Sequence, residues 1–125
     1  MTKYKSSNVL YSMSNAIRGL KLTFCSQRNF VIEVFIALFV IISGLFLHFS
    51  ITDLCILMIM SAIVLICELL NSVIEFTLDA VYKNSYSRLV EMAKDMSAGM
   101  VFLSSVFSVI IGIVLFGKYI LKILL

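Results

Sequence analysis

Three long runs of apolar residues dominate this chain of 125 residues. They cover 30–49, 54–81 and 96–116 and contain few charged side chains. A helix needs about 20 apolar residues to cross the roughly 30 Å hydrocarbon core of a bilayer, and each run is long enough. With 62% hydrophobic and only 14% charged residues, the chain has too little polar surface for a soluble globule. The sequence predicts an all-α membrane protein with three spans in a single domain, 1–125.

The segment ahead of the first run, 1–28, has a different pattern. Apolar residues recur there at spacings of three and four, as in Val9, Met13, Ala16 and Leu20, with polar and basic side chains between them. That spacing is typical of an amphipathic helix. We expect this helix to lie on the membrane surface.

Two short polar segments separate the three runs. In the first, Ser50 or Thr52 is suited to cap the helix that follows. In the third run, Ser104, Ser108 and Gly112 recur every four residues. Small residues at this spacing allow two helices to pack closely. Ordinary small residues in a membrane helix account for the pattern equally well.

The basic residues are distributed unequally between the two sides of a three-span chain. The N-terminal segment and the second connection contain Lys3, Lys5, Arg18, Lys21, Arg28, Lys83, Arg88 and Lys94, and the opposite side contains Lys118 and Lys122. Because basic residues are enriched in cytoplasmic segments, we expect a multi-pass protein with a cytoplasmic N-terminus. No basic tract indicates a nucleic-acid partner.

Four polar residues interrupt the second run at regular spacing: Glu68, Asn71, Glu75 and Asp79. At about 3.6 residues per turn they occupy less than half of the helix circumference, so they form one polar stripe. A charged side chain at the bilayer centre is unfavourable by roughly 2.5–3.5 kcal/mol on insertion scales, so it persists where protein or water receives it. The stripe is therefore a candidate functional site, and it opens toward the cytoplasm.

Other classes of protein account for the polar stripe less well. A transporter or channel would need a polar relay across the whole membrane, but the outer half of the second span, 54–67, contains no charged residue. A noncatalytic assembly subunit would not need an ordered series of acid, amide and acid. A histidine-based metal site would lack partners, because His48 is the only histidine.

Several segments of this chain resemble the prokaryotic diacylglycerol kinase family, which includes the undecaprenol kinases. The most specific are Glu-Leu-Leu-Asn-Ser-Val-Ile-Glu at 68–75, then Asp79, and Ala-Lys-Asp-Met at 93–96. Arg-Gly-Leu at 18–20 and Arg-Asn-Phe at 28–30 extend the likeness over nearly the whole chain. The resemblance implies a surface helix with three spans, a homotrimer, and transfer of the γ-phosphate of ATP to a lipid hydroxyl with Mg²⁺.

The resemblance also implies roles for individual residues. Glu68 corresponds to the general base and Asn71 to its polar neighbour. Glu75 corresponds to a metal ligand that also contacts the nucleotide, and Lys94 with Asp95 to a nucleotide-binding pair. Phosphoryl transfer needs these kinds of group: a base for the hydroxyl, a divalent cation, and cationic donors around the phosphates.

Four further positions are implied in nucleotide binding: Asn15, Gln27, Tyr86 and Ser87. Gln27 stands where the family usually has a second metal-binding glutamate, and Ser87 stands where many members have histidine. An amide oxygen still coordinates Mg²⁺, so Gln27 joins Glu75 as a candidate metal ligand, with Glu33 as an alternative. A noncatalytic homologue is the other interpretation of these departures.

Two lipid alcohols fit the family equally on general grounds, because diacylglycerol and undecaprenol both present a primary hydroxyl near the headgroup boundary. We name diacylglycerol first, which makes phosphatidic acid the product. The resemblance places the protein in the inner (cytoplasmic) membrane of a bacterium.

Overall fold

The computed structural model describes residues 8–83, 85 and 87–125, so the predicted nucleotide contact Tyr86 lies outside the described residues. All regular elements within these ranges are helices. They are α1 (Val9–Ser26), α2 (Arg28–Phe46), α3 (Ile51–Tyr82) and α4 (Arg88–Leu124).

The helix boundaries follow from local capping. Asn8 accepts a hydrogen bond from the Leu10 amide at the start of α1. The Ser50 side chain accepts one from the Asp53 amide at 3.2 Å, which confirms Ser50 as the cap of α3. At the other end of α3, Lys83 adopts the left-handed conformation with φ of 48°, which ends the helix.

Three helices, α2, α3 and α4, are long and apolar enough to cross a membrane. Helix α3 has 32 residues and α4 has 37. At 1.5 Å per residue these helices are about 48 Å and 55 Å long, well beyond the roughly 30 Å core of a bilayer. Both helices therefore extend past the hydrocarbon region, and the chain is a multi-pass membrane protein.

Helix α3 is the centre of the packing, since it contacts both α2 and α4, while α1 contacts α2. Gly44 of α2 allows one close approach: a Cβ added there would lie 3.0 Å from Leu57 of α3. Few large apolar side chains are buried within the chain, and most of them face outward. In a membrane protein these outward faces contact lipid or other copies of the chain.

A polar cluster joins the ends of α3 and α4 on the side opposite the polar stripe. Asp53 is 7% exposed and accepts hydrogen bonds from Tyr119 at 2.7 Å and Lys118 at 3.0 Å. The Tyr119 hydroxyl also accepts from the Ser50 amide at 2.8 Å, and its ring stacks on Phe49 with 4.1 Å between centroids. This cluster fixes the α2–α3 connection against the last turns of α4.

The small residues of α4 do not form a continuous close contact. Ser104 is buried, but Ser108 and Gly112 line a cavity of about 350 Å³ between α2, α3 and α4. A Cβ added at Gly112 would meet no atom within 4 Å. Of the two interpretations of this spacing, close packing within one chain is therefore not observed at Gly112.

Candidate active site

Glu68 is the most deeply buried member of the polar stripe, with 5% of its surface exposed. The Asn29 side chain on α2 lies close enough to its carboxylate to interact with it. The carboxylates of Glu33 on α2 and Glu75 on α3 lie within electrostatic range of it. Protein, rather than lipid, therefore receives this side chain.

Asn71 faces the other neighbour, α4. Its side-chain oxygen accepts a hydrogen bond of 2.7 Å from the hydroxyl of Ser97, which is 5% exposed. Because the oxygen faces Ser97, the amide nitrogen of Asn71 points away from it. The polar stripe thus bridges α2 and α4, with Glu68 facing one helix and Asn71 facing the other.

Lys94 lies on α4 about one turn closer than Ser97 to the connection between α3 and α4. Its ammonium nitrogen is 2.6 Å from a carboxylate oxygen of Asp79, the last member of the polar stripe. Both side chains are partly exposed, at 37% for Lys94 and 43% for Asp79. Together they form one wall of a groove of about 280 Å³, here called the turn groove, which is also lined by Tyr82, Ser85, Ser87 and Glu91.

The remaining nucleotide-binding candidates are distributed over several elements of the fold. Gln27 is half-buried and is the single residue between α1 and α2, with extended backbone. Asn15 is exposed on α1. Asp95 is exposed on α4, and because it follows Lys94 directly it points about 100° away from it around the helix. Of these candidates, the turn groove brings together Ser87 and Lys94.

Two mostly apolar spaces lie along α3, the helix that carries the polar stripe. The cavity between α2, α3 and α4 has Glu33 at its lining and is otherwise mostly apolar. A groove of about 520 Å³ runs between α1 and α3, lined by residues such as Gly19, Leu20, Leu69 and Phe76. Both spaces have the surface chemistry that hydrocarbon chains prefer.

The donor set is compatible with a magnesium ion that arrives with a phosphate ligand. Among the described residues, no group of three or more His, Cys, Asp or Glu side chains is arranged to hold a metal ion. Mg²⁺ typically takes one or two protein carboxylates and completes its shell with phosphate oxygens and water. Glu75 is a half-buried carboxylate, the type of ligand that such an ion takes, and Gln27 has an amide oxygen at the junction of α1 and α2.

Sequence reasoning did not assign Asn29 or Ser97 to the site. Asn29 was visible only as part of the Arg-Asn-Phe segment at 28–30. Ser97 follows Lys94 by three residues and so lies on the same face of α4, which is the signal that identifies it.

The fold and this geometry define a small α-helical membrane protein with a buried acid and a half-buried amide on the central helix α3. The family model of prokaryotic diacylglycerol kinase matches residues 14–116. The chain belongs to the prokaryotic diacylglycerol kinase family.

Two named relatives illustrate the range of the family. The chain is 37% identical over 105 residues to a diacylglycerol kinase of Synechocystis sp., a match that covers 84% of this chain and 60% of that protein. It is 34% identical over 105 residues to an undecaprenol kinase of Bacillus subtilis, covering 84% of this chain and 85% of that protein. The chain therefore spans less than two thirds of the length of the Synechocystis relative.

Proposed function

We propose that this protein is an ATP-dependent lipid kinase that phosphorylates the hydroxyl of diacylglycerol to give phosphatidic acid. The observation that carries the proposal is the position of Glu68. Glu68 is a buried carboxylate on α3, the helix that also lines two apolar spaces suited to lipid chains and, through Asp79, the groove that contains Lys94. A site that joins a lipid alcohol to a nucleotide needs this combination.

In the proposed reaction, Glu68 accepts the proton of the lipid hydroxyl. The hydroxyl oxygen forms a bond to the γ-phosphorus of ATP as the bond from that phosphorus to the bridging oxygen breaks. The electron pair of the broken bond leaves with ADP, and Glu68 then releases its proton to water. Asn29 interacts with the Glu68 carboxylate, and Ser97 orients Asn71, which lies one turn from Glu68 on α3.

The proposed nucleotide contacts come from α1, α3 and α4 and from the segments that join α1 to α2 and α3 to α4. Glu75 and Gln27 are the proposed ligands of Mg²⁺, which neutralises charge on the phosphates when it is bound. Lys94 offers its ammonium to the phosphates, while Asp95, Ser87, Tyr86 and Asn15 complete the nucleotide contacts. A chain without a glycine-rich phosphate loop binds ATP in this way through side chains and a metal.

The proposed assembly is a homotrimer in the inner membrane of a bacterium, with the N-terminus in the cytoplasm. Large apolar side chains on every membrane helix face outward, and Asp95 is exposed beside the site. A neighbouring copy that covers part of these faces would enclose the site and leave an entrance for lipid.

Undecaprenol is the second candidate acceptor. The Bacillus subtilis relative named as an undecaprenol kinase matches over 85% of its length, a larger share than the Synechocystis relative. Both lipids offer a primary hydroxyl to the same base, so the residue roles stay the same for either one.

The test is transfer of labelled γ-phosphate from ATP and Mg²⁺ to each lipid separately, by purified protein in mixed micelles. Label on diacylglycerol alone supports the proposal, and label on undecaprenol alone changes the acceptor but keeps the kinase. Absence of label on both lipids, from protein that is folded by circular dichroism, contradicts the proposal and favours a noncatalytic homologue.

A further inference from the structure

We propose that Asp79 is a positioning residue that holds the Lys94 ammonium at the wall of the turn groove, ready for the phosphates of a nucleotide. This inference rests on the proposed function. The family resemblance implies that Lys94 and Asp95 of α4 bind the nucleotide, and the inference adds Asp79 of α3 to this function.

The geometry of the pair is specific. The Lys94 nitrogen lies 2.6 Å from an oxygen of Asp79, and the two residues belong to different helices. Lysine has a long side chain with several rotatable bonds, and this contact restricts it to one direction. Ordering a flexible side chain before the ligand arrives reduces the entropy lost on binding.

The ion pair leaves Lys94 able to bind a further anion. An ammonium group has three N–H donors, and the contact with Asp79 uses one of them. Lys94 is 37% exposed and lines the turn groove opposite the hydroxyl-bearing Ser85 and Ser87. A phosphate oxygen in this groove therefore reaches Lys94 without displacing Asp79.

A purely structural role accounts for the pair less well. Partly exposed ion pairs contribute little to stability. The same two helices are already joined by the bond between Ser97 and Asn71, at 2.7 Å, which lies about one turn away along α4 and about two turns away along α3. The contact between Asp79 and Lys94 is therefore not needed to hold α3 against α4, whereas its position at the groove gives it a use in binding.

The matching experiment uses Asp79→Asn, which keeps the shape of the side chain and removes its charge. Binding of a fluorescent ATP analogue with Mg²⁺ is titrated directly, and the KM for ATP and the kcat are measured with the lipid acceptor. We expect the Kd and the KM for the nucleotide to rise about fivefold. We expect less change in kcat, no change in the KM for lipid, and partial recovery in Asp79→Glu.

The chain supplies a matched control in Asp53→Asn. Asp53 also pairs with a lysine across α3 and α4, at 3.0 Å from Lys118, but at the opposite end of the helices. If the loss of any ion pair between these helices weakened nucleotide binding, the nucleotide affinity would fall in both variants. The inference predicts a weaker nucleotide affinity in Asp79→Asn alone.

Two results would overturn the inference. An unchanged Kd in Asp79→Asn would make the contact a surface pair, and a lower Kd would mean that Asp79 competes with the phosphates for Lys94. With either result, the proposed lipid kinase activity is retained if the wild-type protein transfers label to a lipid. Conversely, nucleotide binding that depends on Asp79 without any lipid labelling would contradict the proposed lipid kinase and not the contact between Asp79 and Lys94, so the two failures are distinguishable.

Discussion

The hydroxyl of Ser97 on α4 donates a hydrogen bond of 2.7 Å to the side-chain oxygen of Asn71 on α3. This bond sets which end of the Asn71 amide faces α4, and it lies one helical turn from the buried carboxylate of Glu68. A buried bond of this kind fixes an orientation as well as contributing stability. We therefore expect Ser97 to influence the reaction without contacting the substrates.

Replacing Ser97 with alanine tests that expectation. The variant loses the partner that orients Asn71, and we expect kcat to fall by about two- to tenfold, the range expected for one net hydrogen bond. The assay is the steady-state rate of lipid phosphorylation at saturating ATP. Ser104→Ala is the control, because that buried hydroxyl bonds to the Val101 carbonyl of its own helix. Equal rates for Ser97→Ala and the wild type would remove Ser97 from the site.

Replacing Glu75 with glutamine tests the metal assignment. Glu75 is the proposed carboxylate ligand of Mg²⁺, and its loss leaves only neutral oxygen donors on the protein side. We expect the Mg²⁺ concentration needed for half-maximal rate to rise at least about tenfold, in the range seen when groups that support a metal site are removed. Titration of Mg²⁺ at fixed ATP measures this directly. An unchanged Mg²⁺ dependence would mean that Glu75 is not a ligand.

The cluster at the opposite end of the helices makes a prediction about stability. Tyr119→Phe removes a hydroxyl that serves both Asp53 and the Ser50 amide, and it leaves a buried carboxylate with fewer partners. Lys118→Met removes only an exposed partner, since the lysine side chain is 63% exposed. We expect the unfolding temperature in detergent, followed by circular dichroism, to fall clearly in Tyr119→Phe and little in Lys118→Met.

The same two variants separate stability from catalysis. Asp53 precedes Glu68 by 15 residues on α3, which corresponds to about 22 Å along the helix. The KM for ATP should therefore remain unchanged in both variants at temperatures where they are folded. A larger loss of stability in Lys118→Met than in Tyr119→Phe would contradict the ranking.

The sequence predicts the general architecture because apolar runs of membrane length have few alternatives to a helix. It predicts the extent of α4 less well, since the apolar run at 96–116 is shorter than the helix Arg88–Leu124. Outside the hydrocarbon core a helix satisfies its own backbone hydrogen bonds, so it continues through polar residues. Hydropathy therefore marks the membrane-crossing part of a helix and not its ends.

The sequence predicts which residues of α3 belong to the site, but it does not predict their partners on α2 and α4. The spacing of Glu68, Asn71 and Glu75 places them on one face by helical geometry alone. Their partners Asn29 and Ser97 depend on how far α2 and α4 are shifted along α3, which is set by packing at contacts such as Gly44 with Leu57. No periodicity within one helix contains that information.

The central claim is that Glu68 takes the proton from a lipid hydroxyl during phosphoryl transfer from ATP. The most direct measurement compares Glu68→Gln with the wild-type protein for labelled phosphate transfer to the acceptor lipid, with binding of a fluorescent ATP analogue measured in parallel. The account predicts that Glu68→Gln binds the nucleotide and remains helical but transfers no phosphate above background. Phosphate transfer by Glu68→Gln at a rate near that of the wild type would contradict it.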